Sequence, residues 1–317
     1  MTWLSWRQQR VETLITAGLL VVLAAAFIPI GIHVADLFAQ QHLARCVNSD
    51  TQACQFAAGN LTLRAGALNG FLDSGWFNLI PGLIGVALAA PLLLDRENGT
   101  TQLAWTQSIT RRRWLATKGI FAVATVLVAG AAFSLLFTWY RSPFDRLYGR
   151  WDKFDFEGIV PVAYALFALG LALAVGVLVR RSTAALIVAF GVYVAARLFV
   201  ESWLRQRFST PLSATWRLNG LGPNLTHAWI LREGPSDKAG HFFTGSSYAF
   251  QSCPKIGPNG DKTLGSGCAA RHGAGFTHAL YQPASRFWEF QGIETALFGG
   301  IALLLLAFAA WRLLASD

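Results

Sequence analysis

Apolar residues along this chain gather into long runs at about 12–34, 77–94, 114–139, 158–179, 183–202 and 291–311, with polar segments between them. Each run approaches the roughly 20 residues that a helix needs to cross the hydrocarbon of a bilayer. One such run would fit the core helix of a soluble protein. Six in one chain predict an all-α polytopic membrane protein with six transmembrane helices. The second run has the weakest signal, because it is short and holds Pro81 and Pro91. Arg7 and Arg10 precede the first run as they would in a signal peptide. Its apolar stretch is long, however, and no A-x-A-like site follows promptly, so it reads as a retained anchor.

The polar segments set the orientation. With the N-terminus in the cytoplasm, the inner segments 1–12, 95–113, 180–182 and 312–317 hold Arg7, Arg10, Arg96, Arg111, Arg112, Arg113, Arg180, Arg181 and Arg312. The two shorter outer loops, 34–75 and 140–157, are longer in total and hold fewer cations: Arg45, Arg64, Arg141, Arg146, Arg150 and Lys153. That is a positive-inside bias. All four cysteines, Cys46, Cys54, Cys253 and Cys268, then fall outside, where disulfides persist. Of the three possible pairings, the local ones, Cys46–Cys54 and Cys253–Cys268, are the expectation. Trp3, Trp6, Trp76, Trp114, Trp139, Trp203, Trp288 and Trp311 stand at or just beyond the ends of the runs, where indole favours the headgroup region. The formal net charge of +9 therefore reads as membrane orientation and anionic-lipid contact rather than nucleic-acid binding.

Two outer segments carry the remaining polar sequence. The loop 140–157 mixes charges evenly and reads as a solvated cap. The segment 203–290, before the last span, is rich in Gly, Pro, Ser and Asn, which argues for turns and loops rather than a helical domain. Its GPNGDKT resembles a phosphate loop but fails the spacing, since Asp261 separates Gly260 from Lys262. His227, His241, His272 and His278 share the segment with two cysteines, in no tight ligand spacing. No loop assembles an acid–base or nucleophile set, so the chain reads as no enzyme by itself. Ionisable groups within spans usually face a partner or cavity. Arg197 and Glu201 are four residues apart on the fifth span and could pair, and Glu294 opens the sixth. They are candidates for an intramembrane gate or for a salt-bridge cluster that locks helix ends.

The segment 95–113 has more pattern than a turn requires. Asp95, Arg96 and Glu97 end the second run, and Gly99 with Thr100 lets the chain break. Thr110 is a candidate N-cap for the third span. Arg111, Arg112 and Arg113 then fill a first helical turn, where the dipole disfavours cations. Anionic lipid or an acidic cytosolic surface would offset that cost.

The order E-x-G-T, T-Q-S-I-T-R, W-L-x-x-K (Glu97, Gly99, Thr100; Thr106 to Arg111; Trp114, Leu115, Lys118) resembles the segment between the second and third spans of ABC-2-type exporter permeases. The pieces WLSWRQQR, NLIPGLIGV, GIVPVAYALFALGLA and YQPASRFWEFQGIET resemble an actinobacterial branch of that family. The resemblance implies a type V, ABC-2 exporter-like fold in the cell membrane, with six spans and both termini cytoplasmic. It implies that 95–113 is a coupling segment seated on a cytosolic ABC ATPase, with Glu97 meeting a basic residue of that subunit and Arg111 and Lys118 fixing the start of span three. ATP and Mg would be bound in two copies of that partner, and no cofactor by this chain. Six spans are half of a transporter core, so a second permease copy is expected, with a homodimer favoured. Export by alternating access is the implied function, and the apolar spans lean toward an amphipathic or lipid-like cargo, including peptide antibiotics. A sensor or resistance scaffold reading ligand through 203–290, or an ion-coupled carrier, are the alternatives.

Overall fold

The computed structural model describes residues 2–47, 51–66, 70, 72, 75–98, 110–179, 181–218, 220–243, 254–256, 262–264 and 275–315. Among these, six helices are long and apolar enough to cross a membrane: Thr13–Gln40, Trp76–Glu97, Arg112–Tyr148, Val160–Leu178, Ser182–Arg207 and Ala284–Ala315. The helical elements are α1 (Thr2–Gln40), α2 (Gln52–Arg64), α3 (Ile80–Glu97), α4 (Arg111–Tyr148), α5 (Val160–Leu178), α6 (Ser182–Phe199) and α7 (Phe287–Ala315). Several run past the apolar stretches, because their ends carry aromatic and charged residues suited to an interface. Pro81 does not break α3. It occupies the first turn, where its missing N–H has no intrahelical acceptor to lose.

Two compact units make up the chain: Met1–Arg146 with Lys153–Arg205 and Trp288–Asp317, and Leu147–Asp152 with Gln206–Phe287. In the first, α5 is the central helix, buried on every side, with α3 and α6 packed against it. Small residues permit that approach. A Cβ on Gly85 of α3 would collide with the Ala165 carbonyl oxygen and stand 2.8 Å from the Ala168 Cβ. Beside this contact lies an aromatic core of Phe27, Phe77, Phe133, Phe137, Tyr140 and Phe156, with Phe27 4.9 Å and Phe77 4.7 Å from the Phe137 ring. Outward positions such as Val21, Val22, Ile187, Val188, Leu303 and Leu304 are exposed and apolar, a surface suited to lipid.

The segment 140–157, which is the end of α4 and the loop after it, is not a solvated cap. Arg141, Lys153, Asp155 and Glu157 are buried, as are Phe154 and Phe156. Its even mixture of charges is what allows burial, because cations and carboxylates meet inside; Arg141 Nε stands 3.6 Å from both Asp145 and Glu157. Cys46, in the turn after α1, is bonded to Cys54 in the first turn of α2. Cys253 and Cys268 lie outside the described residues.

The second unit contains strands that its Gly/Pro-rich composition did not announce. Strands β1 (Leu212–Arg217), β2 (Trp229–Ser236) and β5 (Phe276–Gln282) form an antiparallel sheet in the order β1-β5-β2, and β3 (Pro254–Ile256) pairs with β4 (Lys262–Leu264). The register runs from Leu212 opposite Tyr281 to Arg217 opposite Phe276, with a bulge in β2 between Ile230 and Arg232. Trp151 stacks on Trp229 at 5.4 Å, and Gln282 donates to the Ser209 carbonyl at 2.8 Å.

Candidate functional site

Two charged clusters occupy opposite ends of the α5–α6 pair, both in the first unit. The first is built on three consecutive residues that end α3. Asp95 pairs with Lys118 of α4, whose ammonium also lies 5.0 Å from the Trp114 ring. Arg96 donates from Nη1 to the Gly176 carbonyl, 2.5 Å away, in the last turn of α5. Glu97 accepts from the backbone N–H of Ser182 at 2.8 Å and from the Ser182 hydroxyl, at the first residue of α6. Helix C-termini present carbonyls without intrahelical donors, and N-termini present amides without acceptors. Adjacent residues of opposite charge on α3 therefore complement opposite ends of the α5–α6 hairpin dipoles. A cavity of about 190 Å³ lies among Leu93, Arg96, Glu97, Gly176, Val179 and Ser182.

Sequence reasoning selected part of this cluster. Glu97 and Lys118 are present, each bound to another helix of its own chain. Thr110 precedes α4 and its hydroxyl accepts the Arg113 N–H at 3.4 Å, while Arg111 is the first residue of that helix. Gly99 and Thr100 lie outside the described residues. Asp95, Arg96 and Ser182 were missed as partners, although the helix-end positions of Arg96 and Ser182 could have suggested them.

At the other end, five side chains converge from separate elements. Asp155 comes from the loop before α5, Tyr164 from α5, Arg197 from α6, Arg205 from the 3-10 turn Arg205–Arg207 and Glu294 from α7. Arg205 holds Glu294 by Nε to Oε2 at 2.8 Å and Nη2 to Oε1 at 3.0 Å, and also pairs with Asp155. Arg197 places Nη2 3.0 Å from Asp155 and Nη1 3.2 Å from Glu294, with its guanidinium 3.6 Å above the Tyr164 ring. The Tyr164 hydroxyl lies 2.5 Å from Glu294 and 3.0 Å from Asp155, so its one proton serves two carboxylates. Two guanidiniums facing two carboxylates make a neutral set, the condition for burying charge. Burial by itself would raise the pKa of Asp155, but Arg205 and Arg197 beside it outweigh that and hold the carboxyl well below the usual range.

Gln291 of α7 positions the loop that supplies Asp155. Its Oε1 accepts the N–H groups of Ile159 and Val160, each at 3.1 Å, and its Nε2 donates to the Phe154 carbonyl at 2.9 Å. Gly158 takes φ +70° against this amide, a conformation that favours glycine. Ser134 and Thr138 of α4 bind the carbonyl and N–H of Gly158 from the other side.

Of the three intramembrane candidates, Arg197 and Glu294 meet here. The pair expected between Arg197 and Glu201 does not form. Arg197 turns inward to the buried Asp155 and the fully buried Glu294, and Glu201 is half-buried beside them. Asp155, Tyr164 and Arg205 were missed. Among the described residues, no group of three or more His, Cys, Asp or Glu is placed to hold a metal ion.

These features define a polytopic helical membrane protein whose polar side chains hold helix ends together. A family model described as ABC-2 membrane transporter related matches residues 17–205, more than half of the chain, and the protein belongs to that family. The family is one of membrane components of ABC transporters rather than of catalytic subunits. No curated protein and no solved structure matches the chain.

Proposed function

We propose that the chain is the permease subunit of an ATP-driven exporter, working by alternating access with a separate cytosolic ABC ATPase that binds ATP and Mg. Two permease copies, most simply a homodimer, and two ATPase copies complete the transporter. Both termini face the cytoplasm of a cell whose plasma membrane the chain spans. The cargo is amphipathic or lipid-like, taken up between the permease copies and released past the outer segment 203–290.

One observation carries this reading. The three residues at the foot of the segment 99–109 grip three different helices: Asp95 holds α4, Arg96 holds α5 and Glu97 holds α6. A force applied to that segment by a moving ATPase would enter α3 and be shared at once among its neighbours. A plain surface loop needs no such anchorage. Glu97 has a double role in this account, holding Ser182 and offering its remaining oxygen to a basic residue of the ATPase. Arg111 and Lys118 fix the start of α4.

The test is co-expression with candidate ATPases, followed by pull-down and ATP hydrolysis in lipid, for the wild type, Arg111→Glu and Glu97→Lys. A stable complex whose hydrolysis falls in both variants supports the reading. Failure of any ATPase to co-purify, or hydrolysis indifferent to both changes, refutes it.

A further inference from the structure

Helix α6 changes its winding where it meets the buried charges. Its buried face runs Ser182, Ala185, Ala189, Tyr193, Arg197, in the steps of three and four that an α-helix requires. The next buried positions are Val200 and then Arg205, five residues further. Between them the chain makes a π turn, Val200–Leu204, closed by the Arg205 N–H on the Val200 carbonyl. Such single turns hold one more residue than an α turn.

The extra residue decides where Arg205 points. In an unbroken α-helix, a residue eight positions on stands about 80° around the axis, and one seven positions on stands about 20° the other way. Arg205 is eight positions beyond Arg197, and the π turn brings it to the seven-on place. There it reaches both Asp155 and Glu294. In an unbroken helix the seven-on place belongs to Leu204, which is half-buried in this structure. Arg205 would then be turned by about 100°, out of reach of both carboxylates.

We propose that the π turn Val200–Leu204 is a register switch that delivers Arg205 to the Asp155–Glu294 pair and can withdraw it. In the π register, two guanidiniums balance two carboxylates and the end of the bundle closes dry. In the α register, Arg197 alone faces Asp155 and Glu294, with Glu201 among the same charges. A surplus of negative charge is not stable without water, so withdrawal of Arg205 accompanies hydration and parting of α5, α6 and α7 at this end. The device stands on this chain alone and is testable without an ATPase or a cargo.

The experiment is an arginine transplant in the full chain, read as the thermal unfolding midpoint in lipid nanodiscs. Arg205→Leu removes the second guanidinium and is expected to lower the midpoint by about 5 °C or more. Adding Leu204→Arg to that change puts an arginine at the seven-on place of an ordinary α-helix. If α6 can adopt the α register, the double variant recovers at least half of the loss. Amide exchange at residues 200–205 then slows relative to the wild type, because the two registers no longer compete. A double variant no more stable than Arg205→Leu would mean that the π turn is fixed by its surroundings, and the switch would be refuted. No loss in Arg205→Leu would equally refute it, because the turn would then have no charge to deliver.

Discussion

Arg205 and Glu294 form a two-point fork, Nε to Oε2 at 2.8 Å and Nη2 to Oε1 at 3.0 Å, from elements separated by most of the second unit. The geometry is the planar, paired contact for which guanidinium is suited and ammonium is not. Glu294 is fully buried and also meets Arg197 and Tyr164. Glu294→Ala should therefore strand two buried guanidiniums and cost about 3–5 kcal/mol of stability. Unfolding of the purified protein in detergent measures this. A loss below about 1 kcal/mol, the scale of an exposed pair, would mean that the cluster is wet and carries little.

The same cluster predicts a direction with pH. Burial would push the Asp155 carboxyl up, yet Arg205 and Arg197 hold it well below the ordinary range. A depressed folded-state value contributes stability that is present above the unfolded value of about 3.9 and is lost as pH falls through the folded one. The wild type should keep an even contribution from Asp155 between neutral and mildly acidic pH and lose it only in strong acid. Asp155→Asn should be less stable at neutral pH and should narrow its deficit as the medium is acidified. Unfolding midpoints of the two proteins across a pH series provide the check, and a deficit that widens on acidification would contradict the assignment.

How much of this was legible beforehand follows from the range of each interaction. The spans were legible because hydropathy is a local property, and Pro81 misled only in strength. Arg197 and Glu294 were legible because a charge in an apolar run is conspicuous by itself. Arg205 was not, because its inward aim depends on one π turn that no periodicity rule anticipates. Asp155 sat in a loop whose alternating charges read as solvated, and only the three-dimensional pairing reveals why they are buried. Strands β1 and β5 are likewise hidden, since partners such as Thr215 and His278 are brought opposite one another only by a long return of the chain. Of the coupling candidates, the resemblance to ABC-2-type permeases pointed to Glu97 and Lys118 but not to the helix ends they hold.

Gly85 is where α3 and α5 come closest. A methyl group there would collide with the Ala165 carbonyl and crowd the Leu169 nitrogen at 2.9 Å, neither of which can swing aside as a flexible side chain would. Gly85→Ala should separate the two helices and cost about 1–3 kcal/mol, the usual range for overpacking. Gly18, which has open space around its Cβ position, is the control and should tolerate alanine. Equal stability of the two variants would show that the helix contact is looser than described.

Cys46 and Cys54, eight residues apart, are bonded, and the bond reports sidedness. In a Cys253→Ser, Cys268→Ser background, intact cells treated with a membrane-impermeant reductant and then an impermeant maleimide should label both thiols. Without the reductant, no label should appear. Labelling that requires permeabilised cells would invert the proposed orientation, and with it the assignment of 95–113 to the cytoplasm.

Arg96 and Glu97 make the last prediction, because their order matters as much as their presence. Arg96 faces carbonyls at the end of α5 and Glu97 faces amides at the start of α6. Exchanging them, Arg96→Glu with Glu97→Arg, preserves composition and net charge yet sets each charge against the wrong end of a helix dipole. Amide exchange at the first turn of α6, Ser182 to Ala185, should accelerate, while that around Tyr193 in the middle of the helix should not change. The complex with an ATPase should still form if it depends on surface outside these two residues, but its hydrolysis should no longer respond to the permease. A swapped protein that protects Ser182 as the wild type does would mean that the dipoles are indifferent to these side chains, and force from the coupling segment would then need another route into α5 and α6.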